Sequence, residues 1–260
     1  MAGPEKRKRI LQLQEIENRR QDTGDRRKSV SFKFCILTPV SCILVFKDMI
    51  AIIDYDAGNL TSVQRALSHL GQDSVITRDP GQVLAAEKVI FPGVGAAGKA
   101  MFDLKRLNMD KAILASYGEG KPILGICLGT QIIMERSEEN DTACIGLIRG
   151  EVRRFPDNLT EGEGRVLKVP HMGWNSVVLK RKHALFRGVE QDSEFYFVHG
   201  YYPRPKDSAN ILGETQYGIS FASVLFSGNL VAVQFHPEKS GKPGLKILSN
   251  FCSWKGRDDA

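Results

Sequence analysis

The 260-residue chain has no C-x-x-C pair, no apolar run longer than twelve residues and almost no net charge outside its first 48 residues. Each absence removes a class of protein. The five cysteines, Cys35, Cys42, Cys127, Cys144 and Cys252, are odd in number and unpaired in spacing, so neither a disulfide framework nor a zinc site is indicated and a reducing cytosol is the default. No group of His, Cys, Asp and Glu has metal-ligand spacing, and no metal or other cofactor is expected. The longest apolar run, residues 35–46, is interrupted by Thr38, Pro39 and Ser41 and is too short to cross a bilayer. The formal charge of +6 suggests an acidic partner, but residues 1–48 hold 11 of the 36 Lys+Arg against 6 of the 30 Asp+Glu, which leaves 25 against 24 for the remainder. The basicity belongs to the tail. That tail has no aromatic residue before Phe32 and no recognisable nucleic-acid-binding pattern, so neither nucleic acid nor membrane is expected as a partner.

What is present falls into two parts. Residues 1–28 are charged and lack a sustained apolar stripe, a composition that reads as disordered. Residues 29–47 are more apolar, but no A-x-A-like cleavage site follows and the charged leader is mixed in sign, so an export signal is not expected. A buried-strand pattern begins immediately after Met49. Residues 1–48 are therefore read as a disordered extension or as an upstream mis-start, and residues 49–256 as the folded domain, with enough apolar content (42%) for a proper core. From Met49 strand-like and helix-like segments alternate, the signature of an α/β fold with a mainly parallel sheet. Strands are expected at 50–54, 73–77, 88–91 and 122–126, and helices at 59–70, 97–107, 109–117 and from 128 to about 136. Short strands and turns follow Cys144, among them 195–198, 219–224 and 230–235, before a closing helix at 244–254. No internal repeat is visible.

Two motifs carry chemistry. Gly125-Ile126-Cys127-Leu128-Gly129 is a G-x-C-x-G form of the nucleophile elbow, a sharp strand-to-helix turn that holds a reactive side chain in a strained position. The flanking glycines remove side chains that would collide with the turn and the incoming substrate, and a thiol at a helix N-terminus feels the partial positive charge there. Attack of that thiolate on an amide needs an imidazole to handle the proton and a carboxylate to orient it, and Gln234-Phe235-His236-Pro237-Glu238 supplies both at a strand end. Among the other histidines, His69 should face solvent and His183 should lie in a charged turn, while His171 and His199 are plausible pocket residues without a carboxylate two positions away. Cys144 and Cys252 read as structural cysteines. Gly93-Val94-Gly95-Ala96-Ala97-Gly98 formally matches a dinucleotide fingerprint, yet it comes two strands late and the next strand ends in Cys127. It reads better as an oxyanion strand, with backbone N–H groups near Val94 and Gly95 joining that of Leu128.

Longer motifs add a family resemblance. The segment from Ile52 to Leu60 (IIDYDAGNL), Pro92 to Gly95, Gly125 to Gln131, Pro170-His171-Met172-Gly173-Trp174-Asn175, Tyr196 to His199 and Gln234 to Gly241 resemble the glutaminase subunits of imidazole glycerol phosphate synthase, which are class I (triad) glutamine amidotransferases. The match runs from Met49 to about Trp254. It implies a flavodoxin-like three-layer domain and a cytoplasmic role in histidine biosynthesis as a heterodimer with a cyclase subunit. Family glutaminases hydrolyse glutamine to glutamate and ammonia through a cysteinyl thioester and pass the ammonia through the barrel of the cyclase, which makes imidazole glycerol phosphate and an aminoimidazole carboxamide ribotide. By position, Cys127 would be nucleophile, His236 general base and acid, and Glu238 the orienting carboxylate. Gly95, Leu128 and Gln131 would line the glutamine pocket, with Gly200 and Tyr201 meeting the substrate's backbone groups, and Asn59, Trp174 and Lys239 would face the cyclase, although Trp174 also suits a core aromatic. Gly200 stands where a small hydroxyl residue is expected, so its contact could come only from backbone. The oxyanion hole around Val94 is expected to form fully only with the partner. Alternatives are a glutaminase serving another synthetase, against which the 170–175 and 236–241 motifs argue, and a non-catalytic interaction protein, which would typically lack a triad member.

Overall fold

Strands that are apolar at every successive position need cover on both faces, and the segments around Ile50, Ile123 and Leu230 have that character. The computed structural model describes residues 49–257 except Ala57, Asn59 and Glu163. The expectations for residues 1–48 and for Asn59 lie outside the described residues. The first half alternates: β1 (Ile50–Ile53), α1 (Leu60–His69), β2 (Ser74–Thr77), α2 (Pro80–Ala85), β3 (Lys88–Gly93), α3 (Ala97–Arg106), α4 (Met109–Gly118), β4 (Ile123–Cys127) and α5 (Leu128–Ile132). The second half is mostly strand: β5 (Met134–Ser137), β6 (Thr142–Ala143), β7 (Ile148–Arg154), β8 (Thr160–Glu161), β9 (Arg165–Val166), β10 (His171–Ser176), β11 (Val178–Leu179), β12 (Glu194–His199), β13 (Tyr201–Pro205), β14 (Ile211–Tyr217), β15 (Ile219–Ser227) and β16 (Leu230–Val233), closed by α6 (Gly241–Ser253).

Five strands run parallel in the order β2-β1-β3-β4-β16, the flavodoxin-like order, and β15, β14 and β11 extend the sheet antiparallel. Alternation within each strand feeds two cores. Ile50, Ile52, Leu124, Ile126, Val231 and Val233 pack with Val63 and Leu67 of α1 and Leu248 and Phe251 of α6. Ala51, Ile53, Ile123, Leu230 and Ala232 pack with Val83 of α2, Leu104 of α3 and Ile113 of α4. A three-layer sandwich results. Helix α1 stops where its sequence says it should: Gly71 takes φ 71°, its N–H donates to the Ser68 carbonyl at 3.0 Å, and Gln72 N–H donates to Leu67 at 3.0 Å.

Some expectations fail locally. The helix expected from residue 128 to about 136 ends at Ile132, because residues 134–137 enter a second, four-stranded sheet ordered β13-β7-β5-β6. There Met134 and Ser137 are buried, Glu135 and Arg136 face outward, and the Glu135 carboxylate accepts from Gly150 N–H at 2.8 Å. Burial in that sheet outweighs helix propensity. Helix α2 was not foreseen, although Asp79 caps it by accepting from Gly81 N–H at 2.8 Å and Pro80 opens it. The last helix also starts at Gly241, three residues before the expected position. Among the described residues no helix is long and apolar enough to cross a membrane.

Candidate active site

The carboxyl ends of β3, β4 and β16 lie side by side and deliver the chemistry-bearing residues to one edge of the sheet. Cys127 ends β4 with φ 55° and ψ −107°, a conformation that a non-glycine residue adopts only under strain. The neighbours explain the glycines around it. A side chain at Gly125 would meet Ala232 Cβ at 2.9 Å, and one at Gly129 would drive into the Phe91 carbonyl. The close approaches in the structure are to β16 and β3. Thr130 Oγ1 donates to the Val233 carbonyl at 2.6 Å and pins α5 against β16.

Cys127 is buried, with its sulfur 3.9 Å from the Val198 carbonyl oxygen and 3.8 Å from Gln234 Nε2. His236 follows β16, and its Nδ1–H donates to Glu238 Oε1 at 2.8 Å, both side chains being almost fully buried. Burial alone would lower the imidazole's proton affinity. Its interactions with Cys127 and Glu238 outweigh that and push the His236 pKa up to about 10, so the ring is cationic at neutral pH beside the sulfur. The remaining cysteines lack this setting: burial pushes both Cys144 and Cys252 up to about 11, which keeps them as thiols.

In front of Cys127 lies a cavity of about 350 Å³ lined by Val94, Gly95, Leu128, Gln131, Glu139, Pro170, Val198, His199, Gly200 and Tyr201. Val94, Gly95, Leu128, Gln131, Gly200 and Tyr201 thus meet at one place, and the glycine-rich 93–98 segment faces the thiol. Sequence reasoning missed Glu139. It sits in a turn between β5 and β6, accepts from Ala97 N–H at 2.6 Å and is, among the described residues, the single acidic one in the cavity wall. Its place depends on the second sheet, so no local signal pointed to it. Trp174 and Lys239 lie elsewhere, on an outward face. Trp174 is 54% exposed and packs edge-on against Tyr196, whose ring also carries Lys239 Nζ at 5.8 Å, so Trp174 is not a core aromatic. His69 is exposed as expected, but His183 is buried, accepting from Leu185 N–H at 3.1 Å between the rings of Phe226 and Trp254. Among the described residues no group of three or more His, Cys, Asp and Glu could hold a metal ion.

The family description of class-I glutamine amidotransferases matches residues 51–254. The chain belongs to the class I glutamine amidotransferase family. Within it the chain is similar to proteins named imidazole glycerol phosphate synthase subunit HisH: 52% identical over 206 residues to that of Nitratidesulfovibrio vulgaris strain Miyazaki F, covering 79% of this chain and 97% of the relative. It is 45% identical over 210 residues to that of Methylococcus capsulatus, covering 79% and 96%. Solved structures agree in fold. A glutamine amidotransferase crystal structure superposes with a TM-score of 0.60 at 16% identity, over 78% of this chain and 99% of that one. The PurLQS structure from Thermotoga maritima gives 0.60 at 17%, over 80% of this chain and 98% of that one.

Proposed function

We infer that this chain is the glutaminase subunit of imidazole glycerol phosphate synthase, releasing ammonia from glutamine at Cys127. The observation that carries the chemistry is the strained, buried Cys127, lining a cavity and set beside a His236–Glu238 pair. The Cys127 thiolate attacks the side-chain carboxamide carbon of glutamine. Negative charge collects on the carboxamide oxygen, where the backbone N–H groups of Leu128 and of the Val94–Gly95 segment stabilise it. His236 passes its proton to the departing nitrogen, ammonia leaves and a γ-glutamyl thioester remains. His236, now neutral, takes a proton from water as that water attacks the thioester, and glutamate is freed. Glu238 holds the Nδ1–H throughout and stabilises the imidazolium. Glu139 suits the α-ammonium group of the substrate, and Gln131 with the backbone of Gly200 and Tyr201 suits its remaining polar groups.

The HisH relatives are named as synthase subunits, and by that similarity the ammonia goes to a cyclase partner, with both subunits in the cytoplasm. Support for where the partner docks comes from the outward cluster of Met172, Trp174, Tyr196 and Lys239, the first two large apolar side chains left exposed. That cluster is tied to the catalytic loop. His236 N–H donates to the Tyr196 carbonyl at 2.9 Å, and Tyr196 N–H donates to Ser240 Oγ at 3.0 Å. Asn59 is proposed for the same interface. Residues 1–48 are proposed to be dispensable, the domain beginning at Met49.

The test is glutamate release from glutamine by the full chain and by residues 49–260, alone and with a cyclase subunit and its nucleotide ligand, beside Cys127→Ala. Stimulation by the cyclase that vanishes in the variant is the expected result. High activity indifferent to the cyclase would point to another synthetase, and inactivity throughout would sink the glutaminase reading. Activity lost on truncation alone would sink the claim for residues 1–48.

A further inference from the structure

Three buried histidines, His171, His183 and His199, take no part in the chemistry above, yet His199 lines the cavity. His171 and His199 face each other in register across the antiparallel ribbon of β10 and β12, with His171 Nδ1 3.1 Å from His199 Nε2. Both rings are shielded, at 2% and 5% exposure.

A single arrangement of protons satisfies the chain they belong to. The Tyr201 carbonyl, 2.8 Å from His199 Nδ1, can only accept, so that nitrogen carries the proton. His199 Nε2 is then a lone pair, and His171 Nδ1–H must donate to it. That leaves His171 Nε2 to accept from the Asn175 amide at 3.3 Å. The direction of the Asn175 amide is fixed separately, because its Nδ2 donates to the Gln216 carbonyl at 2.9 Å while its Oδ1 accepts from Ser176 N–H at 2.8 Å. At the far end, the Tyr201 carbonyl accepts a second bond from Gln131 Nε2 at 3.1 Å, and the same amide nitrogen donates to Gln234 Oε1 at 3.2 Å. Both amide hydrogens of Gln131 are thereby used within the protein. Its carbonyl oxygen is the end left for a ligand. The whole arrangement requires neutral rings, since a proton added to either would set two N–H groups face to face. Burial, reinforced at His199 by its neighbour His171, holds His199 at about 3 and His171 at about 4.

We propose that His171 and His199 are positioning residues for glutamine, a neutral pair protonated at Nδ1 that fixes the Tyr201 carbonyl and, through it, the Gln131 amide in the cavity wall. This rests on the glutaminase reading of that cavity. His199 is not a second general base, because both of its ring nitrogens are engaged.

The first test is steady-state glutamine hydrolysis by the full chain with its cyclase partner, comparing wild type with His171→Phe, His199→Leu and His199→Asn. Loss of the pair leaves a buried carbonyl and amide mis-set, and KM for glutamine should rise roughly 10- to 100-fold in H171F and H199L with kcat changed only a few-fold. His199→Asn keeps an N–H where Nδ1–H stood and should recover most of the KM. An unchanged KM in H199L, or an H199N no better than H199L, would overturn the proposal. Should the apolar variants not fold, long-range proton–nitrogen spectra of wild type at pH 7 read the tautomers directly. Both rings are expected neutral with the proton on Nδ1, and Nε2–H or an imidazolium at either would overturn the proposal. Glutamine left intact by wild type would remove the functional reading and this inference with it, whereas hydrolysis with an unmoved KM in the apolar variants removes this inference alone.

Discussion

A methyl group added at Gly129 would lie 3.1 Å from the Phe91 carbonyl carbon and closer still to its oxygen. Carbon atoms pack best at about 3.5–4.0 Å, and neither partner can rotate away, since one is helix backbone and the other belongs to β3. Relief requires α5 to slide by about 1 Å, a shift that carries Cys127 and Leu128 with it. Overpacking of this kind costs up to about 3 kcal/mol, and the better helix propensity of alanine returns at most about 1 kcal/mol. The net of about 2 kcal/mol corresponds to a Tm lower by about 4–8 °C in a domain of this size. A nucleophile displaced by that distance should lose roughly 100-fold in kcat. Scanning calorimetry and glutamate release on Gly129→Ala measure both effects. Gly118→Ala, at the end of α4 with nothing within 4 Å, is the control and should melt at or above the wild-type temperature. A G129A protein with wild-type melting and turnover would refute the claim that packing against β3 sets the nucleophile's position.

Three further outcomes are expected. Stability should fall on both sides of neutrality: His171 and His199, held low, take up protons only on unfolding below about 6.5, which costs roughly 2 kcal/mol between pH 6 and 5. His236, held high, contributes stability that is complete below the unfolded value and is lost as pH rises through about 10, so denaturant midpoints that stay flat from pH 5 to 10 would contradict both assignments. The hydroxyl of Tyr55 is buried without a hydrogen-bond partner among the described residues, so Tyr55→Phe should raise the unfolding free energy by about 1 kcal/mol in urea titrations, and a loss of that size would reveal a partner. A side chain at Gly200 would meet Val169 Cγ1 at an ordinary 3.9 Å, so Gly200→Ser should fold normally and lower KM for glutamine by about fivefold through an added hydroxyl contact, whereas an unchanged or higher KM would show that only backbone serves there.

The parallel core was legible because strands covered on both faces are apolar at every position, as Ile50–Ile53 and Leu230–Val233 are, and that pattern is local. Cys127 was legible for a related reason. The glycines its turn requires, Gly125 and Gly129, lie two residues to either side, and His236 and Glu238 lie two residues apart. What sequence reading could not reach depends on pairing between distant segments. Met134–Ser137 continues the apolar spacing of the helix before it, and only β6 and β7 make it a strand. Glu139 enters the cavity because that second sheet carries it to the start of α3. The link from Asn175 through His171 and His199 to Tyr201 exists only in the register that sets His171 opposite His199. Helix α2 is different, since its Asp79-Pro80 start was a readable cap followed by too short a helix to show periodicity.

The central claim is that glutamine is cleaved through a covalent bond to Cys127. Acid quenching of the chain during turnover of glutamine with the cyclase present, followed by intact mass and peptide mapping, measures it. One γ-glutamyl group on the peptide containing Cys127, absent from Cys127→Ala, is the predicted result. Ammonia released with no acyl group on Cys127, or with the acyl group on Cys144 or Cys252, would contradict the account.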